Sequence, residues 1–407
     1  MAAATKTYEY SVRDRAGKLT SGKLEAANEA VLVSKLKQMG YAPVSVREAG
    51  GGMNREITLP FGNSVKLKDL AVMNRQFATM INSGLSLLRA LTILAEQTEN
   101  KTLAKTLSEV RADVETGQSL STALAKHVKV FPPLMVNMCR AGEVGGFLDA
   151  VLLQIAENYE AEVKLRNKVK SAMTYPVVVF VIAILAVVGM LLFIVPVFVT
   201  MFDGLGGELP APTKVLVFLA AAMKIVAPVG AVAIVVGTVV WQRIKHQERV
   251  RLVVDPLILK IPIFGGLAQK IAISRFSRNL GTMISSGVPI LQALDIVADT
   301  TGNIVLTKAV REVQVSVRQG ESLAGPLANH PVFPPMVVQM LAVGEDTGAM
   351  DQMLHKISEF YDQEVEATTE ALTSLIEPLM IAVLGSIIGA MIVALYMPIF
   401  SVFDLIE

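Results

Sequence analysis

The chain carries one long segment twice. Arg75–Leu91 reads RQFATMINSGLSLLRAL and Arg278–Leu294 reads RNLGTMISSGVPILQAL, a shift of 203 residues that pairs Gly84 with Gly287. Gly117–Gln118–Ser119–Leu120 recurs at the same shift as Gly320–Glu321–Ser322–Leu323. One residue is then missing, and the shift falls to 202. There Phe131–Pro132–Pro133 meets Phe333–Pro334–Pro335, and Ala141–Gly142–Glu143 meets Val343–Gly344–Glu345. Tyr159 matches Tyr361, Pro176 matches Pro378, and Pro196–Val197–Phe198 matches Pro398–Ile399–Phe400. Such self-similarity means one structural unit built twice. Each copy runs directly into an apolar segment bounded by prolines.

Within a copy the pattern is helical. Leu70, Met73, Phe77, Met80 and Ile81 share one face, as do Leu103, Leu107, Val110 and Val114. Gly117 and Gly320 stand where a helix should end, because glycine takes the left-handed conformation cheaply. Ser119 and Ser322 then stand where the next helix should be capped. Phe-Pro-Pro starts a further helix, since proline fits the first turn. Gly142–Glu143–Val144–Gly145 and Gly344–Glu345–Asp346–Thr347–Gly348 read as tight turns between antiparallel helices. Each copy is expected to be a bundle of about six helices, the last extending into a membrane.

Three segments are apolar enough to span a bilayer, which takes about 20 apolar residues. Ser171–Phe202 holds no charge, Pro378–Phe403 is the third, and Ile225–Gln242 is the second, preceded by Val215–Met223 with Lys224 between. Hydrophobic residues make up 52% of the chain and charged ones 18%, too apolar for a soluble protein of this length. Lys164, Arg166, Lys168 and Lys170 precede the first span, and Arg243, Lys245, Arg249 and Arg251 follow the second. The connector Met201–Pro212 and the tail Ser401–Glu407 have no Lys or Arg. The positive-inside rule then places the N-terminus in the cytoplasm and the C-terminus outside. Spans one and three run the same way, as a parallel repeat, unlike inverted-repeat transporters.

The expected fold is an all-α membrane protein with two repeated cytoplasmic six-helix bundles, three transmembrane helices and a small N-terminal α/β domain. Its expected divisions are the α/β domain over 1–49 and a Gly-rich linker over 50–65. The first module covers 66–173 and transmembrane helix 1 covers 174–200. An outer loop over 201–214 leads to transmembrane helix 2 over 215–242. The second module covers 243–376, transmembrane helix 3 covers 377–400, and an outer tail covers 401–407. In the N-terminal part Tyr8–Arg13 alternates, Asp14–Gly17 turns, and Leu19–Leu24 pairs back. Ala27–Met39 is amphipathic, Gly40 stops it, and Val44–Arg47 adds a strand.

Several chemistries find no support. The balance of 37 basic and 36 acidic side chains gives no field for nucleic acid. Cys139 is alone, which rules out an intramolecular disulfide and suits a reducing compartment. Gly17, four residues, then Gly22–Lys23 comes near a phosphate-binding loop. Leu24 stands where a magnesium-holding hydroxyl is needed, and the context is a hairpin. Gly204–Gly207 opens no strand-helix unit. His127, His246, His330 and His355 have no metal-pair spacing. Asp203 and Asp404 lie beyond the spans, where an intramembrane protease would need them inside. No cofactor, metal or catalytic residue is expected.

The informative charges lie on the stems leading to the membrane. Glu157, Glu160, Lys164 and Lys168 form one face in the first copy, with Glu160–Lys164 in the favourable i, i+4 order. Their counterparts Glu359, Asp362, Glu366 and Glu370 are all acidic. Like charges at this spacing repel, so the stripe needs a partner. It either packs near the basic stem of the first copy or of another subunit, or docks a partner with basic side chains. Glu377 opens the third span, where its counterpart is Tyr175. It either favours the helix dipole or makes a polar contact with a transmembrane partner. Pro196 and Pro398 are expected to bend or end their spans at matching depths.

These residues resemble the inner-membrane platform family of type IV pilus and type II secretion machines over nearly the whole chain. The hallmarks are Arg75–Gln76–Phe77 to Gly84, Gly117 to Leu120, Phe131–Pro132–Pro133, Ala141–Gly142–Glu143 with Gly145, and their counterparts. Tyr8-x-Tyr10 with Gly17 and Gly22 is also similar. Ile376–Glu377–Pro378–Leu379–Met380 through Pro398–Ile399–Phe400 looks closer to the pilus branch. The resemblance implies a platform in the bacterial inner membrane that contacts a cytoplasmic hexameric ATPase, pilins and other inner-membrane proteins of the pilus. It also implies a homo-oligomer, dimer or trimer, that moves pilins between membrane and fibre and is not an enzyme. Glu143, Glu345 and the acidic stripe are the candidate contacts.

Overall fold

The computed structural model describes residues 6–13, 19–26, 29–39, 41–48, 64–203, 209–245 and 247–403. The chain divides into two compact units, Met1–Ser64 and Val65–Glu407. Nearly all of the expected linker, the Asp14–Gly17 turn, Gly40, the Gly204–Gly207 loop, His246 and the end of the tail with Asp404 lie outside the described residues.

In the first unit, β1 (Lys6–Arg13), β2 (Leu19–Ala26) and β3 (Ala42–Glu48) form an antiparallel sheet in the order β2-β1-β3. Helix α1 (Glu29–Gln38) places Leu32 and Leu36 one turn apart. That spacing lets both join Val12 and Ala26 in a small core. Gly22 and Lys23 lie mid-strand, opposite Tyr10 and Glu9. The phosphate-loop resemblance therefore has no strand-to-helix turn around Gly22–Lys23, and Gly17 is outside the described residues.

The second unit opens with α2 (Leu67–Asn82), α3 (Leu87–Gln97), α4 (Lys101–Glu115), α5 (Leu120–Ala125), α6 (Pro133–Gly145) and α7 (Leu148–Gly189). A π-helical turn, Met190–Ile194, carries α7 into α8 (Val195–Asp203). Then come α9 (Ala211–Ile244) and α10 (Glu248–Lys260). The six-helix series recurs as α11 (Phe264–Ser285), α12 (Ile290–Thr300), α13 (Ile304–Arg318), α14 (Ala324–Leu327), α15 (Pro335–Thr347) and α16 (Met350–Phe403). Both series contribute to one apolar core. Its largest buried side chains include Phe77, Phe131 and Phe276, each worth about 1.5–3 kcal/mol on burial.

Local chemistry explains the joints. Gly117 and Gly320 adopt φ of 94° and 90°, the left-handed conformation expected just past a helix end. Gly84 and Gly287 do the same between the first two helices of each series. Ser119 Oγ accepts from Thr122 N–H and Ser322 Oγ from Gly325 N–H, at 3.2 and 3.1 Å. Pro132 and Pro334 cap α6 and α15 in extended conformation. The expected turns at Gly142–Gly145 and Gly344–Gly348 are corrected: the helices run on, and the left-handed residues are Gly146 and Gly348. Gly142 and Gly344 serve close packing instead. A Cβ on Gly142 would stand 3.1 Å from Leu148 Cα, and one on Gly344 3.1 Å from Met350 Cα.

Three helices are long and apolar enough to cross a membrane. Two of them also form the last helix of a module. With 54 residues, α16 is about 80 Å long, and about 30 Å suffices for the hydrocarbon core. The rest is a rigid stem. Neither Pro196 nor Pro398 ends its span, because α8 continues to Asp203 and α16 to Phe403. Pro196 is accommodated by the π-helical turn just before it, whereas α16 passes Pro398 without one. The spans pack where they are farthest from the modules, through Leu191, Val195, Leu216, Ala220, Met391 and Leu395. Past Met223, α9 exposes Ile225, Val229, Val232 and Val236, a surface suited to lipid.

Candidate functional site at the paired stems

Each stem, residues 148–173 of α7 and 350–376 of α16, is clasped to the first helix of its own series. Arg75 on α2 donates to Glu160 on α7 through Nε and Nη2, at 2.6 and 2.5 Å. This is the two-pronged geometry to which guanidinium is suited. Its repeat counterpart joins Arg278 Nη2 on α11 to Asp362 on α16, whose other oxygen accepts from Ser274 Oγ at 2.5 Å. The chemistry is the same but the settings differ. Arg75 and Glu160 are 37% and 43% exposed, while the Arg278 side chain is only 5% exposed. The bond from Arg75 holds the Glu160 carboxyl below its usual range, and the bond to Glu160 holds the Arg75 guanidinium above its own. Glu160 is thus paired across helices rather than with Lys164 along its own helix.

The stems also meet each other and α11. Lys168 on α7 pairs with Glu366 on α16. Leu165, Leu267, Val365 and Leu372 form an apolar seam between the three helices. Asn158, buried in the first stem, donates to Asn279 Oδ1 and Thr282 Oγ1 on α11 at 3.0 and 3.2 Å. Glu364 receives Lys270 Nζ at 2.7 Å, and Glu162 receives Arg275 at 3.0 Å. The acidic stripe is therefore divided. Asp362 and Glu366 have bases inside the chain, and Glu359 accepts from Lys356 on its own helix at 2.9 Å. That bond lowers the Glu359 carboxyl below its usual value. Glu370, Glu377 and Lys164 are exposed.

Glu143, half-buried, and Glu345, exposed, each bond to a helix start within their own module. Glu143 accepts from the backbone N–H groups of Leu120 and Ser121. Glu345 accepts from Leu323 N–H at 2.9 Å through one oxygen and 3.0 Å through the other. The N–H groups at the start of a helix have no partner within it, so a carboxylate from the following helix supplies one. Both carboxylates thus have a structural role within their module, and Glu345 remains exposed while it performs it.

Several of these pairings escaped the sequence reading. Arg75 with Glu160 and Arg278 with Asp362 occupy matching positions in the two copies, and opposite charges kept in register by the repeat were the available signal. Asp255, which accepts from Ile304 N–H at 2.7 Å and ties α10 to α13, had no such signal. Among the described residues α10 has no counterpart in the first series. Cys139 is fully buried, and burial pushes its thiol well above the ordinary value, with Glu143 adding to the effect. It therefore remains a protonated, apolar packing group. Among the described residues no three His, Cys, Asp or Glu side chains are grouped to hold a metal ion.

Comparison with known proteins matches the two repeats separately. The family model for type II secretion system (T2SS), protein F, matches residues 74–196 and again 276–398. The model for the N-terminal domain of the same protein matches residues 1–47. The chain is 44% identical over 406 residues to a type IV pilus assembly protein PilC of Myxococcus xanthus, covering 99% of this chain and 97% of that one. It is 42% identical over 397 residues to a PilC of Thermus thermophilus, covering 97% and 98%. A type II secretion system protein F of Vibrio cholerae is 32% identical over 369 residues, with 89% of each chain covered.

Proposed function

The chain belongs to the type II secretion system protein F family, and from that premise we propose that it is the inner-membrane platform of a type IV pilus assembly machine. In this reading it couples a cytoplasmic hexameric ATPase to the insertion or extraction of pilins. Both helical modules face the cytoplasm, the N-terminus lies there too, and the C-terminus lies outside. The observation that carries the reading is the unbroken run from module to membrane in α7 and α16. A helix clasped to its module by Arg75–Glu160 or Arg278–Asp362 moves as one body with it. Rotation or shear of a module by a motor then reaches the spans without loss in a hinge.

The pilus branch is favoured by the higher identity to the two PilC proteins. The alternative is the platform of a type II secretion system, supported by the likeness to the Vibrio cholerae protein. A secondary transporter is the less favoured reading. It requires polar groups near the bilayer midplane, and the one charged residue within α9's apolar stretch, Lys224, is exposed.

Deleting the gene tests the proposal. Loss of surface pili, restored by the full chain, together with recovery of a hexameric ATPase on the detergent-solubilised protein, is the expected result. Normal piliation with loss of an exported enzyme from the medium would move the chain to the secretion branch. Genes for an ATPase, pilins and a prepilin peptidase are expected beside it.

A further inference from the structure

In the second series, α11 presents a row of side chains to the stem of the first. Asn279 and Thr282 receive Asn158, and Ser286 donates to Gln154. Asn279, Thr282 and Ser286 are only 4%, 6% and 1% exposed as a result. One repeat earlier the same positions are Gln76, Thr79 and Ser83 on α2, and all three are exposed. Val72, counterpart of Arg275, is 48% exposed. One face of one repeated helix is thus covered in the second series and bare in the first. Beside it lies a groove of about 680 Å³ between α2 and α7, with Ala71, Val72 and Val163 in its wall and Lys164 among its charged residues.

A contact in which one unit covers the next, but is itself left uncovered, is heterologous. Further copies satisfy it by closing a ring or continuing a filament. We propose that the bare face of α2 receives the α16 stem of a second copy of this chain, repeating between chains the contact that α7 makes with α11 within one.

The charges support this occupant. Within the chain, Lys168 on α7 pairs with Glu366 on α16. Advancing Lys168 by one repeat gives Glu370, and the repeat counterpart of Glu366 on the receiving stem is Lys164. The signs have exchanged together, so the pair remains attractive, and both side chains are exposed. Where Asn158 enters the polar face of α11, its counterpart on α16 is Phe360, 42% exposed. An aromatic ring suits the more apolar groove beside Val72. Glu370, left exposed on the second stem, is then complementary to Lys164, left exposed on the first stem of another copy.

The test uses the full chain in its own membrane, in cells making two differently tagged forms, with the buried Cys139 left in place. One form carries Lys164→Cys and the other Glu370→Cys. Mild oxidation is expected to give a disulfide-linked product carrying both tags, and none when only one substitution is present. With Gln76→Cys and Phe360→Cys as the reporting pair, Lys164→Glu or Glu370→Lys alone should lower the cross-link several-fold, and the two together should restore it. Efficient cross-linking of Lys164→Cys to itself would overturn the proposal, because it means a symmetric contact. So would a solubilised chain whose mass is that of a monomer, whatever covers the groove.

Discussion

Thr213 Oγ1 donates to the carbonyl oxygen of Ala394 at 2.6 Å, and Ala394 lies four residues before Pro398. In an α-helix that carbonyl should receive the N–H of residue 398, which proline lacks. The first turn of α9 supplies the missing donor from outside, and Thr213 is 2% exposed. The matching Pro196 is handled within its own helix, by a π-helical turn. Two equal prolines thus receive unequal solutions, and one of them binds the second span to the third.

Thr213→Val keeps the shape and removes the donor. It should lower the stability of the detergent-solubilised protein by about 0.5–2 kcal/mol, the range for a hydrogen bond between membrane helices. Pro398→Ala restores the N–H to the helix, so Thr213→Val should cost clearly less in that background. An equal loss in both backgrounds, measured by equilibrium unfolding, would show that Ala394 does not depend on Thr213.

The two stem clasps should respond unequally to the same substitution. Arg278→Ala leaves Asp362, one-third exposed and still held by Ser274, without its charged partner, a loss of about 1.5–3 kcal/mol. Arg75→Ala breaks a pair that water already screens, worth about 1 kcal/mol or less. Chemical denaturation of the two variants separates these values. Matching losses would mean that burial does not set the strength of the clasp.

Glu345→Gln should keep part of the capping contact to Leu323, whereas Glu345→Lys should abolish it and repel the helix start. Hydrogen bonds to charged groups contribute about 1.5–3 kcal/mol, so a lowered melting temperature is expected for Glu345→Lys and a smaller drop for Glu345→Gln. Lost ATPase binding in Glu345→Lys would then report a damaged module. Binding lost with melting unchanged would instead mark Glu345 as a contact residue.

The repeat made the broad architecture legible. Its period placed the matching helices, and Gly117, Gly320, Pro132 and Pro334 marked joints that the structure keeps. Composition alone located three spans. Pairing across helices was harder to read, because a stem residue has neighbours on its own helix and on two others. Glu160 satisfied the i, i+4 rule with Lys164, yet an arginine 85 residues away offers a two-pronged bond. Gly142 looked like a turn residue because glycine has two uses, and only the position of Leu148 shows that close approach is the one at work. The capping role of Glu143 and Glu345 was hidden because the unsatisfied N–H groups they cap belong to another helix.

The Arg75–Glu160 clasp carries a dependence on pH whose direction is fixed by the lowered Glu160 carboxyl. A carboxyl that holds its proton less tightly when folded favours the folded state wherever the unfolded chain would ionise, above about pH 4.3. The contribution is complete at neutral pH and is lost as pH falls through the lower folded value. Both partners are more than a third exposed, so the whole effect is about 1 kcal/mol or less. Glu160→Gln should therefore be slightly less stable than the parent at pH 7, and the difference should shrink toward zero below about pH 4. Denaturation of both proteins across that range measures the gap. A difference that stays constant into acid would mean that Glu160 stabilises the stem through packing rather than through its charge.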